Sequence, residues 1–253
     1  MPTERELVVW HDAAELAADV AARTVTTLAR AQQVHGRAAL VLTAGSIMEA
    51  VWAQLDQQHS AAELDWSRVD VFWGDERYVP AGSSDRNDGP ANSALFDHLP
   101  FSAATCYPMP ASDGEFGTDL AAATAAYAAT LRAARRPDDA AQVPSFDVVL
   151  LGVGPDGHCA SLFPDHPGVH DQSSPVIGVR DSPKPPPERI SLSFDGLNTA
   201  REIWVVASGA GKSAAVASAL GGASREQVPS AGAVGTDRTL WLVDEDAASQ
   251  LTH

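Results

Sequence analysis

The sequence predicts an α/β fold, with a mostly parallel sheet covered by helices on both faces. Three observations carry this. Short apolar runs rich in Val, Leu and Ile recur at residues 38–42, 69–73, 146–151 and 202–207. Unbroken runs of that length read as strands buried on both faces. Between them lie longer stretches with apolar residues at helical spacing, and this alternation is the pattern of strands joined by crossover helices. The run at 146–151 is then closed by Gly152, Gly154 and Gly157. Such a turn lies at a strand's carboxyl end, where open α/β sheets bind ligands.

Taken in order, residues 7–10 read as a first strand. Asp12, followed three residues later by Glu15, reads as a variant capping box opening a helix with Leu16, Val20 and Leu28 on its apolar face. The run 38–42 leads through Thr43-Ala44-Gly45-Ser46 into a helix bearing Ile47, Val51 and Leu55. After the strand 69–73, residues 82–90 are polar and glycine-containing and read as a surface loop. A short helix at 91–98 and an extended piece at 106–109 follow. Leu120, Tyr127 and Leu131 mark a helix over about 117–135. Beyond the strand at 146–151, residues 176–180 and 189–194 read as strands around the proline-rich turn 182–187. A strand at 202–207, a helix at 211–220 and a strand at 239–243 complete the chain. Its 253 residues are expected to form one domain, 1–253.

A net charge of −16 lacks the basic face that nucleic acid or an anionic membrane requires. It leaves room for a small anionic ligand held by a few local cations. No apolar run reaches membrane-spanning length, and the first six residues show no signal-peptide pattern. The two cysteines, Cys106 and Cys159, are not spaced as a zinc site or a disulfide framework. The expectation is therefore a cytoplasmic protein with no metal site and no obligate protein partner.

The stretch 146–164, FDVVLLGVGPDGHCASLFP, carries the chemistry. Asp156 stands two residues before His158, so a carboxylate can orient an imidazole and stabilise its protonated form. Histidine is the side chain best suited to proton transfer near neutral pH. Residues 152–157 also match GxGxxG, but the dinucleotide fingerprint needs a helix opening at its third glycine. Here Pro155, Pro164 and Pro167 stand in the way. Residues 209–213, GAGKS, end like a P-loop, yet Val206 occupies the position of its first glycine. What remains is Lys212 near a helix N-terminus, a place for a phosphate or for a solvated lysine.

Three further segments bring polar groups to strand ends. Gly45 and Ser46 open the second helix, where amides and a hydroxyl can meet an anion or simply cap the helix. Asp75, Glu76 and Arg77 directly follow a buried strand. Arg77 offers a planar fork to a phosphate or a carbonyl, and the two acids can fix it or share in proton transfer. Lys184 and Arg189 flank a turn stiffened by three consecutive prolines.

These motifs together, FDVVLLGVGPDGHCASLFP, VFWGDERYVP, SPKPPPERISLS and GAGKSAAV, resemble the 6-phosphogluconolactonase family in identity and order. The resemblance covers nearly the whole chain. It implies a three-layer, Rossmann-like α/β domain, a phosphorylated sugar lactone as substrate and no required cofactor. The implied reaction is hydrolysis of 6-phospho-D-glucono-1,5-lactone to 6-phospho-D-gluconate in the oxidative pentose phosphate pathway. His158 would be the general base, Asp156 its support and Arg77 an oxyanion donor, with the glycine turn at Gly154 and Gly157 as another source. Gly45, Ser46, Asp75, Glu76, Lys184, Arg189 and Lys212 would line the substrate. Two departures stand out: Ala44 replaces a glycine, and the usual Ser-Asn after the DER loop is matched to Ala91-Asn92. Two other functions share the motifs. Hexosamine-6-phosphate deaminases place a glutamate where this chain has Phe163, and a sensing domain could keep the phosphate site without catalysis.

Overall fold

The computed structural model describes residues 5–58, 64–91, 95–102, 105–137, 139–171 and 173–251. Strand β1 (Arg5–Trp10) leads into α1 (Ala13–His35), and β2 (Ala38–Leu42) into α2 (Ser46–Gln58). Next come β3 (Val69–Trp73), the short β4 (Asp75–Arg77), α3 (Asp88–Ala91) and α4 (Leu120–Ala133). After β5 (Val148–Gly152) come β6 (Val176–Val179), β7 (Arg189–Leu192) and α5 (Phe194–Leu197). The chain continues through β8 (Glu202–Ala207), α6 (Ser213–Leu220), β9 (Arg238–Asp244) and α7 (Glu245–Ala248).

Six strands form one sheet in the order β1-β9-β8-β5-β2-β3, with every neighbouring pair parallel. Successive residues of a strand point to opposite faces. Strand β2 is buried at every position, and β5 and β8 at all but one. Both faces of the sheet's centre are therefore covered, as the apolar runs require. Asp12 caps α1 by accepting from the amides of Ala14 and Glu15, both at 2.9 Å. Helix α4 is tied down by Tyr127, whose hydroxyl accepts from the Trp73 amide and donates to the Tyr107 carbonyl, each at 3.2 Å.

The expected strands near 176–180 and 189–194 exist, but not in the parallel sheet. They form a separate antiparallel sheet of three strands, β4-β7-β6. Its third member, β4, was not expected as a strand at all. A three-residue charged segment carries no apolar periodicity, so only its partner reveals it. The pairing sets Arg77 opposite Arg189 and Asp75 opposite Ser191.

Smaller differences follow local chemistry. Helix α6 starts at Ser213, after a tighter 3-10 turn over Ala210–Lys212. The extended piece at 106–109 adds a single parallel bridge, Cys106 to Val71, beside β3. The helix expected at 91–98 falls partly on 92–94, outside the described residues, and so does Asn92. The expected surface loop at 82–90 instead buries Arg86 and Asn87. Arg86 is neutralised there by Asp88 at 2.7 Å and by Glu76 at 3.7 Å.

Candidate active site

From β2 the chain runs outward to β3, whereas from β5 it runs the other way to β8. The crevice between the carboxyl ends of β2 and β5 is therefore the switch point of the sheet, where ligands bind in such folds. A cleft of about 550 Å³ opens there, with Gly45 and Ser46 from beyond β2 and Gly154 and His158 from beyond β5 in its walls.

After β5 no α-helix follows through residue 166, so the GxGxxG match is not a dinucleotide site. Instead the chain curls on itself. The Gly154 amide donates to the His158 carbonyl, and the Gly157 amide to the Gly154 carbonyl, both at 2.9 Å. Gly157 adopts φ of +83°, a left-handed conformation that favours glycine. The curl sets the Asp156 and His158 side chains together, with Asp156 Oδ1 2.5 Å from His158 Nδ1. A Cβ placed on Gly154 would lie 1.9 Å from that Nδ1 and 2.3 Å from that Oδ1. The pair thus occupies the space a side chain would need.

Lys184 completes the group. Its Nζ lies 3.2 Å from Asp156 Oδ1 and 3.0 Å from His158 Nδ1. One ring nitrogen cannot both donate to the carboxylate and accept from the ammonium. The shorter contact assigns the Nδ1 proton to Asp156, leaving Lys184 to donate to the same carboxylate. Nε2 then keeps its lone pair. Burial alone would raise the Asp156 carboxyl. The hydrogen bond from His158, with Lys184, holds it well below the usual carboxylate range.

Arg77, Lys184, Arg189 and Lys212 all reach the cleft wall. Burial lowers the Lys212 pKa and the charge of Lys184 lowers it further, with Asp156 acting against both. Arg189 is less available than its sequence suggests. Its Nε donates to the Pro186 carbonyl at 2.8 Å, and its Nη2 to those of Lys184 and Pro185. It therefore brackets the proline turn that presents Lys184.

Two residues expected to touch substrate do not reach the cleft wall. Glu76 is 1% exposed. Its Oε1 accepts from the Arg77 and Asn87 amides at 2.7 Å each, and its Oε2 from the Asp88 amide at 3.0 Å. Burial pushes its carboxyl up to about 7, against the pull of those amides and Arg86. It organises the loop rather than a ligand. Gly157 serves the backbone, its carbonyl accepting from Ser230 at 3.0 Å. Asp75 does line the cleft, but its Oδ2 accepts from the Ser161 hydroxyl at 2.6 Å.

Sequence reading passed over Arg86, Asn87 and Asp244. Arg86 and Asn87 line the cleft. Asp244 fixes the GAGKS turn by accepting from the Ser208 hydroxyl and the Gly209 amide. The signal for Asp244 was present, since it is an acid closing an apolar strand, like Asp75. For Asn87 no local signal exists.

A parallel sheet with a His–Asp pair and several cations at its switch point is the layout of an α/β enzyme acting on a small anionic substrate. The family model described as glucosamine-6-phosphate isomerases/6-phosphogluconolactonase matches residues 11–241. The chain belongs to that family. It is 50% identical over 246 residues to a protein of Streptomyces coelicolor named 6-phosphogluconolactonase, covering 97% of this chain and 94% of that one. A protein of the same name from Mycobacterium tuberculosis is 46% identical over 96% of this chain and 97% of its own. The solved 6-phosphogluconolactonase of Trypanosoma brucei superposes with a TM-score of 0.84 at 27% identity, covering 98% of this chain and 99% of that one. A monomeric glucosamine-6-phosphate deaminase superposes with a TM-score of 0.78 at 21% identity, covering 96% and 99%, and shares the fold alone.

Proposed function

We propose that this protein hydrolyses 6-phospho-D-glucono-1,5-lactone to 6-phospho-D-gluconate, the lactonase step of the oxidative pentose phosphate pathway. The observation that carries the reading is His158, held by Asp156 and lining a cleft shared with Lys184, Lys212 and Arg77. The names of the relatives point the same way. The acting unit is the whole chain, 1–253. A cytoplasmic setting is supported by Cys106 and Cys159, both free thiols.

Nε2 of His158 takes a proton from water as the water oxygen attacks the lactone carbonyl carbon. The developing oxyanion meets Arg77, since the Gly154 and Gly157 amides, expected as another source, are spent within the turn. As the tetrahedral intermediate collapses, the imidazolium returns its proton to the departing ring oxygen. The ester becomes a carboxylic acid and an alcohol. Lys184, Lys212 and the start of α2 at Gly45 and Ser46 hold the phosphate. Because Lys184 rests on Asp156, drawing it to a phosphate would couple binding to the state of the dyad.

The fold does not separate this chemistry from deamination of a hexosamine phosphate, but Phe163 does. It is buried, and its ring centroid lies 4.9 Å from that of His158. An apolar ring at that place supplies no acid–base group for isomerisation. Freshly prepared phosphorylated lactone should be hydrolysed far above its spontaneous rate, unphosphorylated gluconolactone only weakly, and glucosamine 6-phosphate should release no ammonia. Ammonia release, or no acceleration with the phosphorylated lactone, would overturn the reading. The second result is what a non-catalytic sensing domain would give.

Lys212 predicts a pH effect on binding. Its lowered pKa means that it loses its proton at a lower pH than a free lysine, and a bound phosphate favours the charged form. Affinity should therefore weaken as pH rises through that pKa. Arginine stays charged. Lys212→Arg should flatten the alkaline rise of KM, and identical profiles for the two proteins would remove Lys212 from the phosphate site.

A further inference from the structure

Lys184 stands where it should hinder the reaction proposed above. Its Nζ and the His158 ring share one oxygen, since Asp156 Oδ1 lies 2.5 Å from Nδ1 and 3.2 Å from Nζ. The ammonium is also 3.0 Å from Nδ1 itself. As His158 takes a proton from water, the ring gains a positive charge. An ammonium in contact repels that charge and draws on the carboxylate that should support it. Held in this way, the group has one negative charge for two positive ones.

The Lys184 side chain can leave while its backbone cannot. The Lys184 carbonyl accepts from Arg189 Nη2 at 3.0 Å and from the Ser182 hydroxyl at 2.9 Å, which pins the main chain. The side chain is 41% exposed and lines the cleft. Lys212 lines the same cleft, and its pKa is lowered by burial and then by the charge of Lys184. Two ammonium groups within each other's field favour an anion that both can reach. A phosphate dianion offers Lys184 several charged oxygens, a stronger partner than one shared carboxylate oxygen.

We propose that Lys184 is a specificity-determining residue that couples the phosphate to the general-base step: it restrains the Asp156–His158 pair until a phosphate dianion draws it away. The inference rests on the lactonase reading above. A lactone without a phosphate is then penalised in kcat as well as in binding, because binding energy from the remote group no longer acts at the reacting centre. A dianion supplied separately should restore part of that rate. It is not consumed, and the proton still passes from water to Nε2 and on to the ring oxygen.

The test measures kcat for unphosphorylated glucono-1,5-lactone with and without inorganic phosphite. Ionic strength is held constant, and lactone opening in phosphite alone is subtracted. The wild-type protein should gain on the order of 10-fold in kcat, the effect of moving one charge out of contact. Lys184→Ala should be faster than wild type without phosphite and should gain nothing from it. Lys212→Ala should need more phosphite but still be activated. A wild-type kcat that phosphite leaves unchanged overturns the proposal. So does a Lys184→Ala protein that is activated as strongly as wild type. One that is no faster than wild type without phosphite reduces Lys184 to a phosphate anchor and overturns it too. Hydrolysis of the phosphorylated lactone without any phosphite effect removes this inference alone, whereas no hydrolysis of that lactone removes both it and the reading beneath it.

Discussion

Replacing His158 with alanine is expected to lower kcat roughly 10²–10⁴-fold, the usual contribution of a positioned general base. The ring sits at the mouth of the β5 turn and packs on Phe163, and its loss leaves the sheet untouched. Thermal stability and KM should therefore change little. Asp156→Asn should cost less, since an amide oxygen can still accept from Nδ1 but no longer supports the imidazolium with charge. Spontaneous opening of the lactone must be subtracted, or it will mask a dead enzyme. A folded His158→Ala protein with near wild-type corrected activity would remove His158 from the reaction. Asp75 and Glu76 are poorly placed to replace it, being engaged with Ser161 and with loop amides.

The pH dependence of stability follows from the same pair. Asp156 is held ionised by His158 and Lys184. The depressed Asp156 pKa stabilises the fold above the carboxyl's unfolded pKa, and that contribution fades as pH falls through the folded value. Asp156→Asn should therefore be less stable than the wild-type protein at neutral pH, and the two should converge in stability at low pH. Equal thermal stability at neutral pH would contradict the assignment.

The second large effect is expected from Gly154→Ala. A methyl group there would lie 1.9 Å from His158 Nδ1, well inside contact distance, so the ring and Asp156 must move. Displacement of a catalytic group by about 1 Å can cost on the order of 10²-fold in rate, and a similar or larger loss of kcat is expected here. Gly82→Ala is the control, because its added Cβ would meet nothing within 4 Å. Normal activity of Gly154→Ala would mean that the reactive geometry differs from the Asp156–His158 contact described here.

Much of this architecture was legible in short stretches of sequence. The runs at 38–42, 69–73 and 202–207 are strands with the expected bounds. The Asp12 cap and the apolar stripe of α1 are local events, and both form where the residues place them. The turn at 152–158 was readable because glycine spacing and chain stiffness act within a few residues. Asn87 was not readable. Its value depends on Glu76, eleven positions away, holding its amide, and on a cleft wall made by other segments. Arg189 looked like a free cation because its sequence neighbours do not show that the turn's carbonyls bend back onto it.

By itself, the sequence determined the alternation of buried strands and amphipathic helices, the placing of Asp156 and His158 in one tight turn, and the lack of a carboxylate at Phe163. Each follows from backbone preference or residue identity over a short span. Only the tertiary structure decided which charges serve the cleft. Pairing of β4 with β7 brought Arg77 to Arg189 and carried Lys184 onto Asp156, across 28 positions of sequence. Folding of the loop after β4 also withdrew Glu76 from the cleft. Burial and hydrogen-bond satisfaction depend on every segment that closes around a group, and so they are settled only when the chain has folded.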